Sequence, residues 1–137
     1  MRQFLLFFLL VSFLTACDEE CRGFKIGKEF EIALNETLEN CPKNISVTLL
    51  EIEDSRCPAD LVCIWGGMIV VEGQLTIEGE DFELKLSTNQ NASGFPEQFS
   101  TAEYTVRLID VLPYPDSSKP DQTQDQRAIL LISKRST

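Results

Sequence analysis

The sequence contains no histidine. Without an imidazole, the chain cannot build the Ser-His-Asp or Cys-His arrangements of hydrolases, or a zinc site that uses histidine. Basic residues are also few: 12 Lys and Arg stand against 22 Asp and Glu, and the formal net charge is −10. Because phosphate contacts need clustered Lys and Arg, we expect no nucleic-acid partner.

The apolar content is that of a folded protein. Hydrophobic residues make up 43% of the 137 residues, which argues against wholesale disorder. The length predicts a single domain. Five cysteines are present, an odd number that needs an explanation.

The first 17 residues have the pattern of an export signal. Arg2 precedes an apolar run from Phe4 to Val11, which is too short for a membrane span of ~20 residues. The segment ends in Leu14-Thr15-Ala16-Cys17, which resembles the lipobox of bacterial lipoproteins. The resemblance implies a signal peptide over residues 1–16 and a lipid on Cys17. The alternative is an ordinary cleaved signal with a chance cysteine nearby.

The residues that follow Cys17 are acidic. The run Asp18-Glu19-Glu20 resembles the surface-export signal of Bacteroidota lipoproteins, whereas Asp18 alone resembles the inner-membrane retention signal of enterobacteria. Removal of Arg2 with the signal leaves 11 basic and 22 acidic residues, a net charge of −11. Anionic lipid repels such a chain, so the acyl chains would provide the anchor. We expect the protein to lie in the cell envelope, anchored at the outer membrane, and the sequence does not decide between the periplasmic and the outer face. Residues 17–23 form a tether and residues 24–137 one β domain.

The four remaining cysteines are Cys21, Cys41, Cys57 and Cys63. An exported chain meets an oxidising compartment, so an even number of cysteines suggests disulfides, and four allow three pairings. We favour Cys57–Cys63, which closes a short loop, and Cys21–Cys41. A four-cysteine zinc site is the competing interpretation, but the spacings do not match paired knuckles.

The body of the chain has the alternating pattern of β-strands and no long helical periodicity. We predict an all-β fold, an antiparallel β-sandwich or small barrel of about 6–8 strands that two disulfides staple. Adjacent Leu49 and Leu50 switch the alternation, which suggests a bulge. The predicted strands lie within residues 23–34, 44–53, 64–78, 82–86, 104–108 and 127–134.

Other segments are predicted as loops. Residues 35–40 would form one helical turn at most, and residues 88–102 and 113–126 are long polar connections. We predict burial on both faces for the last strand, because residues 128–132 are all apolar. Asp116, Asp121 and Asp125 cluster in the second long loop, but they do not follow an EF-hand pattern, so calcium is a minor alternative.

The densest motif runs over residues 54–67, and reads DSRCPADLVCIWGG. It resembles the D-S-R-C-P-x₄-C-x-W-x-G segment of a group of small exported bacterial proteins without an assigned activity. Leu112-Pro113-Tyr114-Pro115 resembles a second element of that group. The resemblance covers residues 45–134, and it implies an all-β fold with a Cys57–Cys63 bond and no particular reaction.

The motif is consistent with a clamped turn. Pro58 stiffens the start of the loop, and Gly66 and Gly67 permit close backbone approach. Asp54 and Arg56 share a face of an extended segment, so Arg56 can pair with Asp54 or donate to backbone carbonyls. A structural role explains these residues. The functional alternative is a rigid tip presented to a partner. The candidate binding loop comprises Pro58, Ala59, Asp60, Leu61, Val62 and Trp65.

No pair of carboxylates is singled out as an acid and base, so we expect no enzyme, no cofactor and no metal site. The leading hypothesis is a membrane-anchored envelope lipoprotein with a non-enzymatic binding or structural role. Its partners would be the membrane, through the lipid, and an envelope or extracellular protein. One alternative is an inhibitor that presents the Cys57–Cys63 loop, and another is a carboxylate-dependent hydrolase.

Overall fold

The computed structural model describes Cys21, residues 23–119 and residues 124–136. The predicted signal peptide, Cys17, the acidic run after it and Asp121 lie outside these residues. Within the described part of the chain, no helix is both long and apolar enough to cross a membrane.

The chain forms two four-stranded sheets, in which every paired strand is antiparallel. One sheet has the order β1-β8-β7-β6 and the other β2-β3-β4-β5. The predicted β-sandwich is therefore confirmed. The strands are β1 Glu29–Ala33, β2 Thr37–Asn40, β3 Ile45–Asp54, β4 Ile69–Ile77, β5 Glu80–Ser87, β6 Gln98–Ser100, β7 Tyr104–Leu112 and β8 Arg127–Lys134.

One apolar core joins the two sheets. Alternate side chains of each strand point inward, as the period of two in the sequence requires. In β8, Ala128, Leu130 and Ile132 are fully buried, and they pack in the same cluster as Val47 of β3 and Val71 of β4. The core holds the sheets together and fixes where their ends lie.

The predicted bulge is confirmed, because the pairing of β3 with β4 shifts register between Leu49 and Glu51. A second shift interrupts β7 between Leu108 and Asp110. The β4–β5 hairpin turns on Glu78 and Gly79, which both have positive φ. Two such residues between paired strands match the right-handed twist of a hairpin.

Three predictions about local structure are wrong. Residues 35–40 contain strand β2 instead of a helical turn, because Asn35 turns the chain with a φ of 60° and Leu38 then packs on the core. The strand predicted over residues 64–78 begins at Ile69. The connection over residues 88–102 contains a short helix, α1 Gln90–Ser93, and strand β6.

The prediction for β8 is only partly correct. The strand lies inside its sheet, between β1 and β7. Its outer face is only half-buried, however, because Ile129 and Leu131 lie opposite exposed Glu31 and Glu29. One face of this sheet therefore remains open to solvent.

Both predicted disulfides are confirmed, and the four-cysteine zinc site is wrong. The Cα atoms are 6.3 Å apart in Cys21–Cys41 and 5.9 Å apart in Cys57–Cys63. Cys41 begins a 3-10 turn directly after β2, whereas Cys57 and Cys63 lie in the connection between β3 and β4. The two bonds thus staple different parts of the sandwich.

The sandwich has two distinct ends. The loop end carries the β3–β4 connection, residues 55–68, and the chain that follows β7. The entry end carries Cys21–Cys41 and the Glu78-Gly79 turn, where Glu78 N–H donates to Asn44 O over 2.9 Å. The chain enters β1 and leaves β8 at this entry end, since Gly27 N–H donates to Ile132 O over 2.7 Å.

Candidate functional site

An ion pair lies at the base of the loop end, where β3 leaves its sheet. Arg56 binds Asp54 through two parallel hydrogen bonds, Nε to Oδ1 over 2.8 Å and Nη2 to Oδ2 over 2.6 Å. The exposed fractions of these side chains are only 9% and 3%. The pairing that their spacing predicted is therefore confirmed, in the bidentate geometry that makes such pairs strong.

Arg56 also reaches the opposite sheet. Its Nη1 donates to Asp110 Oδ1 over 2.8 Å, and its Nη2 donates to the Val111 carbonyl over 2.7 Å. The Tyr114 ring lies 4.3 Å from the guanidinium carbon, within the range of a cation–π contact. One side chain thus connects the end of β3 to the end of β7.

The charges around Arg56 decide its protonation. Burial lowers the pKa of Arg56, but the hydrogen bonds and charge of Asp54, with the charge of Asp110, outweigh burial and raise the pKa above its ordinary value. The guanidinium is therefore a permanent cation. Asp54 accepts two further bonds, from Arg56 N–H over 3.2 Å and from Gln126 Nε2 over 3.1 Å. The buried carboxylate is well satisfied.

The loop above this ion pair is tied along its length. Ser55 N–H donates to Met68 O over 2.9 Å and Cys57 N–H donates to Gly66 O over 3.0 Å, which closes the base. Within the loop, Leu61 N–H donates to Pro58 O over 3.1 Å.

The segment Leu112-Pro113-Tyr114-Pro115 and the residues just after it support the loop from one side. Ala59 N–H donates to Pro115 O over 3.0 Å. Ser117 donates to Asp60 through its N–H, over 3.0 Å, and through its hydroxyl. The hydroxyl and then the backbone N–H of Ser117 lower the pKa of Asp60, which keeps this carboxylate ionised. The two motifs, about 50 residues apart in sequence, form one site.

The tip of the loop is apolar and exposed. The exposed fractions are 52% for Leu61, 103% for Val62, 107% for Ile64 and 55% for Trp65. More than half of the Trp65 surface faces solvent. We call these four residues the apolar tip. Ile64 belongs to it although the sequence predicted Ile64 as the start of a strand.

The sequence missed several residues that build this site. Asp110, Gln126 and Ser117 belong to segments that carry no motif of their own, and only the fold brings them to the loop. Tyr114 was identified as part of a motif, but nothing in the sequence indicated that its ring covers Arg56.

A metal site is not formed among the described residues, Cys21, 23–119 and 124–136, where no three metal-ligating side chains gather. Asp116 accepts from Ser118 N–H over 2.9 Å and from Ser118 Oγ over 2.6 Å, and these bonds lower its pKa. Surface pockets also lie away from this loop. One of about 280 Å³ is at the entry end beside Phe82 and Glu103, and one of about 460 Å³ lies against β1 and β8.

Comparison of the chain with protein-family models, with curated proteins and with solved structures finds no match. The resemblance of the loop motif to the group of exported proteins stays a prediction.

The two neighbouring glycines of the loop make a matched test of its geometry. Gly67 has a φ of 74°, and a Cβ there would lie 1.9 Å from the Ser55 carbonyl oxygen, whereas a Cβ on Gly66 would meet nothing within 4 Å. We expect Gly67→Ala to lower the free energy of unfolding by about 2 kcal/mol or more, and Gly66→Ala by less than about 0.5 kcal/mol. Urea unfolding measures both, and equal effects would contradict the packing described for this loop.

The buried ion pair gives a second test. Arg56→Ala leaves Asp54 buried without its cation, so we expect a loss of about 3–5 kcal/mol in the free energy of unfolding. Arg127 begins β8 at the same end but is exposed, so Arg127→Ala serves as the control, with an expected loss below about 0.5 kcal/mol. Thermal unfolding of the two variants at neutral pH provides the comparison. A loss below about 1 kcal/mol for Arg56→Ala would show that the pair does not anchor the loop.

Proposed function

We propose that this protein is a non-enzymatic lipoprotein of the cell envelope, anchored through Cys17 at the outer membrane, that binds a protein partner with its apolar tip. The observation that carries the proposal is the apolar tip on an immobilised loop. Two disulfides support export, since such bonds persist in oxidising compartments.

The apolar tip needs an explanation that the fold does not supply. Single exposed apolar residues are normal on a protein surface, but here four of five consecutive positions carry exposed apolar side chains. Val62 and Ile64 are fully exposed, so they contribute nothing to the core. A partner that covers them would gain roughly 1.5–3 kcal/mol for each side chain that it buries completely.

The rigidity of the loop favours binding for a second reason. A flexible loop loses conformational freedom when a partner holds it, and this loss weakens association. Here the Cys57–Cys63 bond, the closed base and the contacts of Ala59 and Asp60 with residues after β7 order the backbone in advance. Most of the ordering is therefore complete before the partner arrives.

An inhibitor is the sharper form of the same proposal. A loop whose Val62 and Ile64 side chains are both fully exposed is suited to enter a cleft. If the partner is an enzyme and its cleft receives the apolar tip, binding blocks access of substrate. The same loop residues would carry both functions.

The anchor is tested by labelling cells with a radioactive fatty acid during bacterial expression. We expect the wild-type chain to incorporate the label and Cys17→Ser to lose it, because Cys17 is the cysteine of the lipobox. The double variant Cys57→Ser/Cys63→Ser is the control and should keep the label. Label on the Cys17→Ser chain would contradict the anchor.

Two leucines of equal exposure test the apolar tip. Leu61 is 52% exposed in the loop, and Leu50 is 53% exposed on β3, outside it. A photo-reactive amino acid at position 62 identifies the partner in envelope fractions, and calorimetry with the purified partner measures affinity. We expect Leu61→Asp to weaken binding roughly 10- to 100-fold and Leu50→Asp to leave it unchanged.

Thermal unfolding of both aspartate variants controls for loss of fold, since both positions face solvent. Equal affinities for Leu61→Asp and the wild type would show that the loop is not the contact.

A further inference from the structure

The anchor and the apolar tip lie at opposite ends of the sandwich. Cys41 follows Asn40, which pairs with Ile45 at the start of β3. The loop begins after Asp54, where the same strand ends. Strand β3 therefore runs from the disulfide of the entry end to the loop. Its 10 residues span about 30 Å at ~3.3 Å per residue.

The tether between Cys17 and Cys21 is too short to reach from the entry end to the loop end. Cys21 is fixed to the entry end by its bond to Cys41. Three residues lie between Cys17 and Cys21 in the sequence, and the four steps of an extended chain cover at most about 3.6 Å each, or roughly 14 Å in total. A lipid on Cys17 therefore holds the entry end against the bilayer.

The loop end carries more negative than positive charge. Four carboxylates, those of Asp54, Asp60, Asp110 and Asp116, surround the base and side of the loop, and Arg56 is already paired with two of them. The bonds from Ser117 and Ser118 keep Asp60 and Asp116 ionised at neutral pH. Lys119 lies 3.8 Å from Asp116 and offsets one charge, and exposed Arg127 at the same end offsets another.

We infer that the protein presents its apolar tip away from the anchoring membrane, about 30 Å beyond the entry end, to a protein cavity that is apolar inside and basic at its rim. This inference rests on the proposed function, because it needs both the lipid and the binding loop. The exposed apolar tip fits an apolar cavity, and the carboxylates beside it fit a basic rim. They also repel an anionic lipid surface, which favours a protein over a second bilayer.

The only tryptophan of the chain reports on this arrangement, since Trp65 is part of the apolar tip. The lipidated full-length protein is reconstituted in phosphatidylcholine vesicles that contain spin-labelled lipid, and tryptophan quenching is measured. The matched control is Lys43→Trp in a Trp65→Phe background, which moves the reporter to an exposed position at the entry end. We expect quenching several-fold stronger at position 43 than at position 65. Equal or stronger quenching at position 65 overturns the orientation.

A second vesicle population separates a protein partner from a membrane partner. Spin-labelled vesicles of phosphatidylcholine, or of phosphatidylethanolamine with phosphatidylglycerol, are added to label-free vesicles that carry the protein. Unchanged Trp65 emission supports a protein acceptor. Quenching of Trp65 by the added vesicles overturns it, because the apolar tip would then insert into an opposing bilayer.

The basic rim is tested on the partner captured through position 62. We expect association to slow as ionic strength rises, and Asp60→Asn with Asp116→Asn to reduce this salt dependence. Glu80→Gln, an exposed change at the entry end, is the control and should leave it unaltered. Unaltered salt dependence in the Asp60/Asp116 double variant overturns the basic rim.

Failure of the proposed function gives a different result from failure of this inference. If the protein does not float with the vesicles, the lipid anchor is wrong and the inference falls with it. If the protein floats with the vesicles and the spin-labelled lipid of the vesicle that carries it quenches Trp65, the lipid anchor is correct and only the orientation is wrong.

Discussion

Arg56 connects the two sheets at the end of the sandwich where the chain leaves regular structure. Its guanidinium satisfies Asp54, Asp110 and the Val111 carbonyl at once, and the Tyr114 ring covers it. An ion pair taken out of water stabilises a fold only when the geometry is good and the remaining polar atoms are bonded. Both conditions hold here, so the charge adds directional bonds where the apolar core ends. The position of the loop depends on those bonds.

The Arg56 ion pair and the Cys57–Cys63 disulfide together hold the loop in place. Asp54 and Arg56 fix the chain before the loop, Cys57–Cys63 closes it, and Ser55 with Met68 closes its base. None of these groups lies in the apolar tip. The structure therefore separates the residues that hold the loop in place from those that it presents. Such a separation is what a preorganised binding element requires.

Much of the fold was predictable from the sequence, because the strands, the bulge and the ion pair depend on residues that are close together in the chain. Alternation predicted most of the strands, the doubled leucine at Leu49 and Leu50 predicted the bulge, and the spacing of Asp54 and Arg56 predicted their pairing. What failed depends on contacts between distant segments. Three-residue β6 pairs with β7 through a pattern too short to recognise. Gln126 meets Asp54 across 72 residues, and no local signal encodes that contact.

The apolar tip shows a different limit of sequence reasoning. Ile64 and Trp65 have the composition of a buried strand, and apolar content alone does not tell a core residue from one that a partner covers. The backbone determines which residues enter the strand. Gly67 has a φ of 74° and lies against Ser55, and strand β4 begins only at Ile69. The side chains before it are thereby left in solvent.

The separation between the residues that hold the loop and those that it presents also bears on which substitutions the chain tolerates. The side chains of Leu61, Val62 and Ile64 lie in the apolar tip, outside the ion pair, the disulfide and the core. Substitutions of these three side chains leave the ion pair and the core untouched, so they have little effect on stability. The surface that the loop presents can therefore change while the fold stays the same.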